Sequence, residues 1–573
     1  MADQMKAQIS PEELPLEEFI RLPATVAFNA WMTPAFRTYI ADKPYIRLGT
    51  EFANNNAVLY TSERYMDGIF ADQGYDFFSI FPQLYGLMGH EALESAHITW
   101  VHKQPYLDLK GSGVLLGFVD TGIDYTNPAF LYEDGSSKVQ AIWDQTLEGT
   151  PPELIHFGAV YRQEQINEAL RSSDPRSVVP HQDTQGHGTF LASVAGGRGE
   201  GAAAGAAPDS EIIAVKLRKA SPYYIEKYLI PSEQDDVYES TDIMLGIKFI
   251  YEYAMALGRP VAICIGLGSN FGGHTGNSKL EYYLSYLASG RGIAICTACG
   301  NEGSARHHTQ GLLLQDDDVQ DVDIQVGANS GDLNVVITYP GIDTISVSIQ
   351  SPTGERIGRV PFFNGTAYFK NLLFEKSRVS LFYYQDINRF AIVQVRNATP
   401  GIWRISLHGD VVISGQYNAY LPITGQVLPG IEFTAPYPDQ TIVIPATGFG
   451  SICCTAYDPR DGSLYTNASW GPTAGSRLAP DLAAPGANVT GVYPTGEGIM
   501  SGTSVAASIT AGACALLMQW GIVQENDISM NGYRLKTLLI RGSEGDENLT
   551  YPNNLWGYGK LDLEKTFQMM RED

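Results

Sequence analysis

Three polar side chains, far apart along the chain, have the types needed for nucleophilic catalysis. Asp120 follows the apolar run GVLLGFV, His187 lies between two glycines in QGHGTF, and Ser504 opens the stretch SGTSVAASITAGACALLMQW. A serine hydroxyl is a weak nucleophile until a neutral imidazole takes its proton, and a buried carboxylate then orients that imidazole and stabilises its charged form. These three residues can supply that chemistry if the fold brings them together.

Each of the three also has a plain structural interpretation. An Asp in DTG often makes a turn, and a lone His is often a satisfied structural residue. Ser504 sits where a small polar residue could cap the helix that the apolar stretch predicts, since the first N–H groups of a helix lack partners. DTGID, HGT and GTS occurring together, in this order, favour catalysis over three coincidences.

The elements that must hold these residues alternate between buried strands and helices. The runs GVLLGFVD, SEIIAVKLR, PVAICIGLG and GIAICTACGNEG predict strands, while HGTFLASVAGG, DIMLGIKFIYEYAMALG and KLEYYLSYLASG predict helices. This alternation is typical of a mostly parallel sheet with helices on both faces. Working groups in such sheets gather beyond the carboxyl ends of the strands, where Asp120 stands.

After about residue 310 the pattern changes to short strands separated by Gly, Pro, Asn and Asp, which predicts an antiparallel sandwich. The α/β pattern resumes near Val443, so the sandwich is predicted to be an insertion. The acidic run DDDVQDVD within it lacks alternating ligands and a closing Glu, which favours a solvated edge over a calcium site. The predicted divisions are 1–90, 91–309, 310–442 and 443–573.

Composition excludes several classes of partner. The chain has 573 residues with 38 basic and 63 acidic side chains, a net charge of −25, which argues against nucleic acid and against anionic membrane surfaces. The N-terminus lacks a secretory signal, and no apolar run approaches the roughly 20 residues of a spanning helix. We therefore expect a cytoplasmic protein.

The sequence predicts no cofactor and no metal site. The six cysteines are interpreted as reduced and mostly buried thiols, and their spacing relative to histidine does not resemble a zinc site. The pair His307-His308 is interpreted as part of a loop. Calcium binding stays open.

The three motifs, with DLAAPG over residues 481–486, resemble those of subtilisin-like serine peptidases. The resemblance covers roughly 111–301 and 451–563. It implies a catalytic triad of Asp120, His187 and Ser504. By the same resemblance, ACGNEG makes Asn301 a side-chain donor to the oxyanion of the tetrahedral intermediate, and the backbone N–H of Ser504 is the second donor.

The family's substrate-binding strand usually reads S-L-G, and here the corresponding residues are Gly266, Leu267 and Gly268. By resemblance, an extended peptide adds to this strand through backbone hydrogen bonds. A second departure is Ser508, where the family usually has Pro. Glu302 is expected near the mouth of the specificity pocket, where it would favour a basic substrate residue.

In architecture the chain is most similar to the Csp-type clostridial germination proteases. That resemblance implies a subtilisin-like parallel sheet with helices on both faces, an inserted antiparallel β jelly-roll and a small N-terminal α+β prosegment. It also implies self-cleavage near residues 84–93 and a prosegment that stays bound afterwards. The known substrate of that group is the precursor of a spore cortex hydrolase, which would make this chain spore-associated.

Two functions remain open after these arguments. The first is a serine endopeptidase that hydrolyses protein or peptide substrates and processes itself. The second is a catalytically silent pseudoprotease that acts as a binding or signalling partner. A third, an α/β-hydrolase esterase, needs its histidine downstream of the nucleophile, and all ten histidines precede Ser504.

Overall fold

The computed structural model describes residues 14–76, 80–87, 94–104, 107–199, 204–234, 236–328 and 331–571. Its helices are α1 (Leu16–Ile20), α2 (Pro34–Ala41), α3 (Glu63–Asp72), α4 (Ile98–His102), α5 (Gln163–Arg171), α6 (His187–Gly196), α7 (Pro222–Lys227), α8 (Ser240–Ala256), α9 (Lys279–Ala288), α10 (Thr503–Met518), α11 (Gly532–Gly542) and α12 (Leu563–Met570). A π-helical turn, Gln519–Val523, follows α10 directly.

The strands of the N-terminal and α/β regions are β1 (Thr25–Trp31), β2 (Arg47–Glu51), β3 (Asn56–Ser62), β4 (Leu84–Leu87), β5 (Leu115–Asp120), β6 (Val139–Asp144), β7 (Ala159–Arg162), β8 (Glu211–Lys216), β9 (Tyr238–Glu239), β10 (Val261–Ile265), β11 (Leu267–Gly268) and β12 (Ile293–Ala298). The inserted strands are β13 (His308–Leu312), β14 (Val319–Val326), β15 (Gly331–Pro340), β16 (Thr344–Gln350), β17 (Arg356–Val360), β18 (Thr366–Asn371), β19 (Arg378–Gln385), β20 (Asn388–Ala398), β21 (Gly401–Val411), β22 (Gln416–Tyr420) and β23 (Glu432–Phe433). The last strands are β24 (Ile452–Tyr457), β25 (Leu482–Pro485), β26 (Val489–Tyr493) and β27 (Gly496–Met500).

The predicted fold class is confirmed. The central sheet has the order β25-β24-β12-β10-β5-β8-β6-β7 and is parallel apart from its edge strand β7. Residues of α6 and α10 pack on one face, and residues of α8 and α9 pack on the other. Because β5 is fully buried in the middle of this sheet, its C-terminal residue, Asp120, emerges at the centre of the carboxyl edge.

Contrary to the expectation from sequence, one helix among the described residues is long and apolar enough to cross a membrane by length and composition. It is the continuous helix Thr503–Val523, formed by α10 and the π-helical turn. Since 89% of its most apolar window is buried inside the protein, it packs as a core helix. Short small residues in SGTSVAASITAGACA concealed this length, because they dilute the apolar signal.

The N-terminal segment, residues 14–87, forms a small α+β unit. Its antiparallel sheet has the order β1-β3-β2, and α2 and α3 contribute Phe36, Met66 and Phe70 to a shared core. Sequence periodicity indicated only the strand AVLYTS here. The helices were missed because each is only a few turns long and carries few apolar residues.

The inserted strands form two packed antiparallel sheets, with the orders β13-β22-β15-β20-β19-β18 and β17-β16-β21-β14-β23. His308 is the first residue of β13, so the prediction that it lies in a loop is wrong. In the acidic run, Asp321 and Asp323 pair with Arg404 at 3.1 and 2.7 Å. The insertion also contacts the N-terminal segment, because Phe382 and Phe390 share its core cluster.

The six cysteines are all buried and free. Burial raises the pKa of the Cys299 thiol to about 12, so this thiol stays protonated at neutral pH.

Candidate active site

Asp120 ends β5 with its side chain 1% exposed. Its Oδ1 accepts the backbone N–H of Thr121 and faces Nδ1 of His187, each at 2.8 Å. Its Oδ2 is buried and has no hydrogen-bond partner in the described structure. A carboxylate desolvated in this way is well suited to stabilise a charged imidazole beside it.

His187 is the first residue of α6, and the residue before it, Gly186, has a φ of 87°. Asp183 organises this start: its Oδ1 accepts the N–H of Gly186 at 2.7 Å, and its Oδ2 accepts the N–H of Thr189 at 2.9 Å. The carboxylate therefore supplies partners for N–H groups that the helix leaves unpaired. The imidazole is held between Asp120 and the opposite helix, α10.

Ser504 lies in the first turn of α10 and is fully buried. Its Oγ is 3.3 Å from Nε2 of His187. Because Nδ1 donates to Asp120, Nε2 is the unprotonated nitrogen and can accept the serine proton. The structure thus brings the three predicted residues together in the order carboxylate, imidazole, hydroxyl, although 317 positions separate the last two in sequence.

Asn301 lies beyond the end of β12, near the start of α10. Its Oδ1 accepts from the backbone N–H and from Oγ1 of Thr503, each at 3.2 Å. These two bonds fix the orientation of the amide, and Nδ2 donates to none of the residues that the structure describes. Thr503 was not singled out from sequence, although it is adjacent to Ser504. A free amide N–H beside the nucleophile suits an oxyanion.

Substitution Asn301→Leu is expected to slow acyl transfer at Ser504 by about 10²- to 10³-fold, a magnitude taken from the corresponding asparagine of subtilisin. The side chain keeps its volume but loses the donor. The first-order rate of the chain's own cleavage, followed by intact mass, measures this effect without a contribution from substrate binding. Asn467→Leu, at an exposed position, is the matched control. Equal rates for both variants would remove Asn301 from the reaction.

The predicted substrate strand is β11, and it is already paired. Leu267 and Gly268 lie opposite Leu87 and Gly86 of β4 in antiparallel register. The other edge of β4 pairs with β9. A segment from the N-terminal unit therefore occupies the groove between β9 and β11 as an extended strand.

Gly266 connects this groove to the nucleophile. A Cβ at this position would lie 2.9 Å from Cβ of Ser504, 3.2 Å from Cε1 of His187 and 2.7 Å from Cδ1 of Leu191. Glycine lets the strand backbone lie directly against the imidazole and the serine. The departure from Ser at this position therefore increases the closeness of the strand to the site.

Comparison with known families agrees with this geometry. The model of the subtilase family (peptidase S8) matches residues 111–559, which is most of the chain. The chain belongs to the subtilase family.

Among solved structures, the subtilase chain is similar to the CspB protease of Clostridium perfringens, with a TM-score of 0.73 and 30% sequence identity. The match covers 84% of this chain and 99% of that one. Among curated proteins it is similar to the PII-type proteinase of Lactococcus lactis subsp. cremoris, 22% identical over 468 residues. The PIII-type proteinase of strain SK11 is also 22% identical, over 469 residues. The matches cover 72% of this chain but only 23% and 22% of the two proteinases.

Ser508, the departure from the usual subtilase Pro, has a structural role in this chain. Its Oγ donates to the carbonyl oxygen of Leu191 at 2.6 Å. Ser508 is one turn after Ser504 in α10, and Leu191 is one turn after His187 in α6. The bond therefore ties the two helices together directly beneath the catalytic pair.

Glu302 does not act as predicted. It is 2% exposed, and both carboxylate oxygens are occupied, one by the N–H of Thr424 at 2.9 Å and the other by Nδ1 of His307 at 2.7 Å. A buried carboxylate paired in this way offers no exposed charge to a basic substrate residue. The sequence did not reveal this pairing because Thr424 comes from the far end of the insertion.

Proposed function

We propose that this subtilase is a serine endopeptidase. Ser504 attacks the scissile carbonyl, His187 takes the proton and returns it to the leaving amine, and Asp120 holds the imidazole. Asn301 Nδ2 and the N–H of Ser504 bind the oxyanion, and water then hydrolyses the acyl-enzyme. The observation that carries the proposal is the continuous contact from Asp120 through His187 to Ser504, at 2.8 and 3.3 Å, beside the groove of β11.

We further propose that its first substrate is its own N-terminal segment. The antiparallel register pairs Leu87 with Leu267, and the next enzyme residue, Gly266, lies against Ser504. Continued by one step, this register leads the chain after Leu87 to the nucleophile. The bond that breaks is then among residues 88–93, which lie outside the described residues.

The contacts of the N-terminal segment support its retention after cleavage. Tyr228 Oη donates to the carbonyl of Pro82 at 2.8 Å, and Gln83 Nε2 donates to the carbonyl of Phe271 at 2.6 Å. The segment also reaches the insertion, where the rings of Phe70 and Phe382 are 5.9 Å apart. An interface with both apolar and hydrogen-bonded parts does not depend on the peptide bond that is cut.

The resemblance to germination proteases extends the proposal to a substrate in trans, the precursor of a spore cortex hydrolase. A location in the cytoplasm or the spore would agree with that substrate.

The self-cleavage proposal is tested by the intact mass of the purified chain. We expect two fragments that elute together in gel filtration, with the larger one beginning within residues 89–94. Fragments that separate on the column would contradict retention but leave cleavage standing. A wild type that stays at full length under all conditions would instead favour the silent binding protein.

A further inference from the structure

A second buried histidine–carboxylate pair lies directly behind the loop that follows Asp120. Nδ1 of His181 is 2.6 Å from Oδ2 of Asp144, and both residues are 1% exposed. On the other side of the ring, the backbone N–H of Ile123 donates to Nε2 at 3.2 Å. Since Nε2 accepts, the proton is on Nδ1 and points at Asp144, which fixes one neutral tautomer.

Asp144 is suited to hold that tautomer. Burial pushes its pKa upward, but hydrogen bonds from His181 and Thr146 outweigh burial and leave the pKa below its usual value. Its other oxygen accepts from the N–H of Thr146 at 2.9 Å. The carboxylate is therefore ionised and held in place at neutral pH, and it orients the ring of His181.

The ring of His181 packs against one side of Gly122. A Cβ on Gly122, whose φ is +117°, would lie 2.8 Å from Cε1 of His181. The other side of Gly122 meets α6, since a Cβ on Gly188 would lie 2.3 Å from the carbonyl oxygen of Gly122. The loop is therefore held between the His181 ring and the turn that carries His187.

Two hydrogen bonds continue this connection. The N–H of Gly188 donates to Oγ1 of Thr121 at 2.9 Å, and the N–H of Asp124 donates to Oγ1 of Thr189 at 2.9 Å. Residues 121–124 are thus bound to the first turn of α6 on one side. On the other side, the bond from Ile123 to His181 is the support described above.

We propose that His181 is a positioning residue for acyl transfer, and that with Asp144 it sets where Asp120 meets His187. The inference rests on the proposed peptidase function. His181 bonds to Asp144 and Ile123, so it acts through the loop after Asp120 rather than on the substrate. A shifted loop weakens the Asp120–His187 contact, which stabilises the imidazolium formed during attack. Both the rate and the pH at which His187 becomes protonated then change.

The test compares His181→Phe with His181→Gln in the full chain. Phenylalanine fills the ring volume but makes neither hydrogen bond, whereas glutamine can accept from Ile123 and donate to Asp144. We expect first-order self-cleavage by His181→Phe to be about 10- to 100-fold slower, as for a small misplacement of reacting groups. We expect His181→Gln to recover most of the rate.

The pH profile separates positioning from a general loss of stability. In His181→Phe the acid limb of the self-cleavage rate should move to lower pH, because a weaker contact with Asp120 stabilises the imidazolium less. If that variant fails to fold, Asp144→Asn, which keeps an oxygen acceptor but loses the charge, should show the same direction of both changes. His408→Phe, within the insertion, is the matched control and should behave as wild type.

Three outcomes overturn the inference. A folded His181→Phe that cleaves at the wild-type rate would do so directly. A slower rate with an unchanged pH profile, no recovery by His181→Gln and a lower Tm would assign His181 to stability alone. A wild type that does not cleave itself, and does not react with a fluorophosphonate, would refute the proposed function and this inference with it.

Discussion

Ser504→Ala is expected to lower the first-order rate of self-cleavage by about 10⁶-fold, a magnitude taken from loss of the nucleophile in subtilisin. The methyl group cannot attack a carbonyl, and the remaining oxyanion donors give only residual catalysis. Intact mass should therefore show the variant at full length when wild type is already cut. Ser504 is fully buried, and the substitution removes only a hydroxyl, so the fold should be retained.

Ser508→Ala is the matched control for that variant. It removes the same atom one turn further along α10, where Oγ binds the carbonyl of Leu191. Losing one buried hydrogen bond should cost about 1 kcal/mol and lower the Tm while self-cleavage continues. Processing of Ser504→Ala at the wild-type rate would mean that another group, or another enzyme, cuts the chain.

Asp120→Asn is expected to slow self-cleavage by about 10⁴-fold, the size of effect seen when the triad carboxylate of a serine protease becomes an amide. An amide nitrogen facing Nδ1 of His187 selects the tautomer that carries its proton on Nε2. That nitrogen then cannot accept the proton of Ser504. The present contact, 2.8 Å from Oδ1 to Nδ1, gives the amide the same opportunity.

Asp124→Asn controls for the removal of a charge from this loop. The Oδ1 of Asp124 accepts from the N–H of Thr126 at 3.2 Å and from its Oγ1 at 2.7 Å, and an amide oxygen can accept both bonds. Its self-cleavage should stay close to wild type, as measured by the same time course of intact mass. Equal losses in Asp120→Asn and Asp124→Asn would attribute the effect to charge rather than to the tautomer.

The sequence was informative where function is carried by short contiguous patterns. Asp120 and His187 could be recognised because each stands at an element boundary with its own flanking residues, and Ser504 because GTS precedes a helix. The central sheet followed from apolar runs of the right length. In each case the local pattern and the tertiary role coincide.

The rest depends on contacts between residues that are distant in sequence. No local pattern shows that β4 pairs with β11, because β4 is only LYGL and its partner is only two residues long. Glu302 seemed an exposed loop charge until Thr424 and His307 proved to bind it. The pairing of His181 with Asp144 spans 37 positions, so neither residue stood out from sequence alone. One local signal was overlooked, the carboxylate of Asp183 four residues before His187.

The central claim is that Ser504 is the activated nucleophile of a hydrogen-bonded relay with His187 and Asp120. Its most direct test is reaction of the folded wild type with a fluorophosphonate, followed by peptide mass mapping. We predict one adduct, on the peptide that carries Ser504, and none in Ser504→Ala. A wild type without any adduct, or equal labelling of the two proteins, would contradict the account.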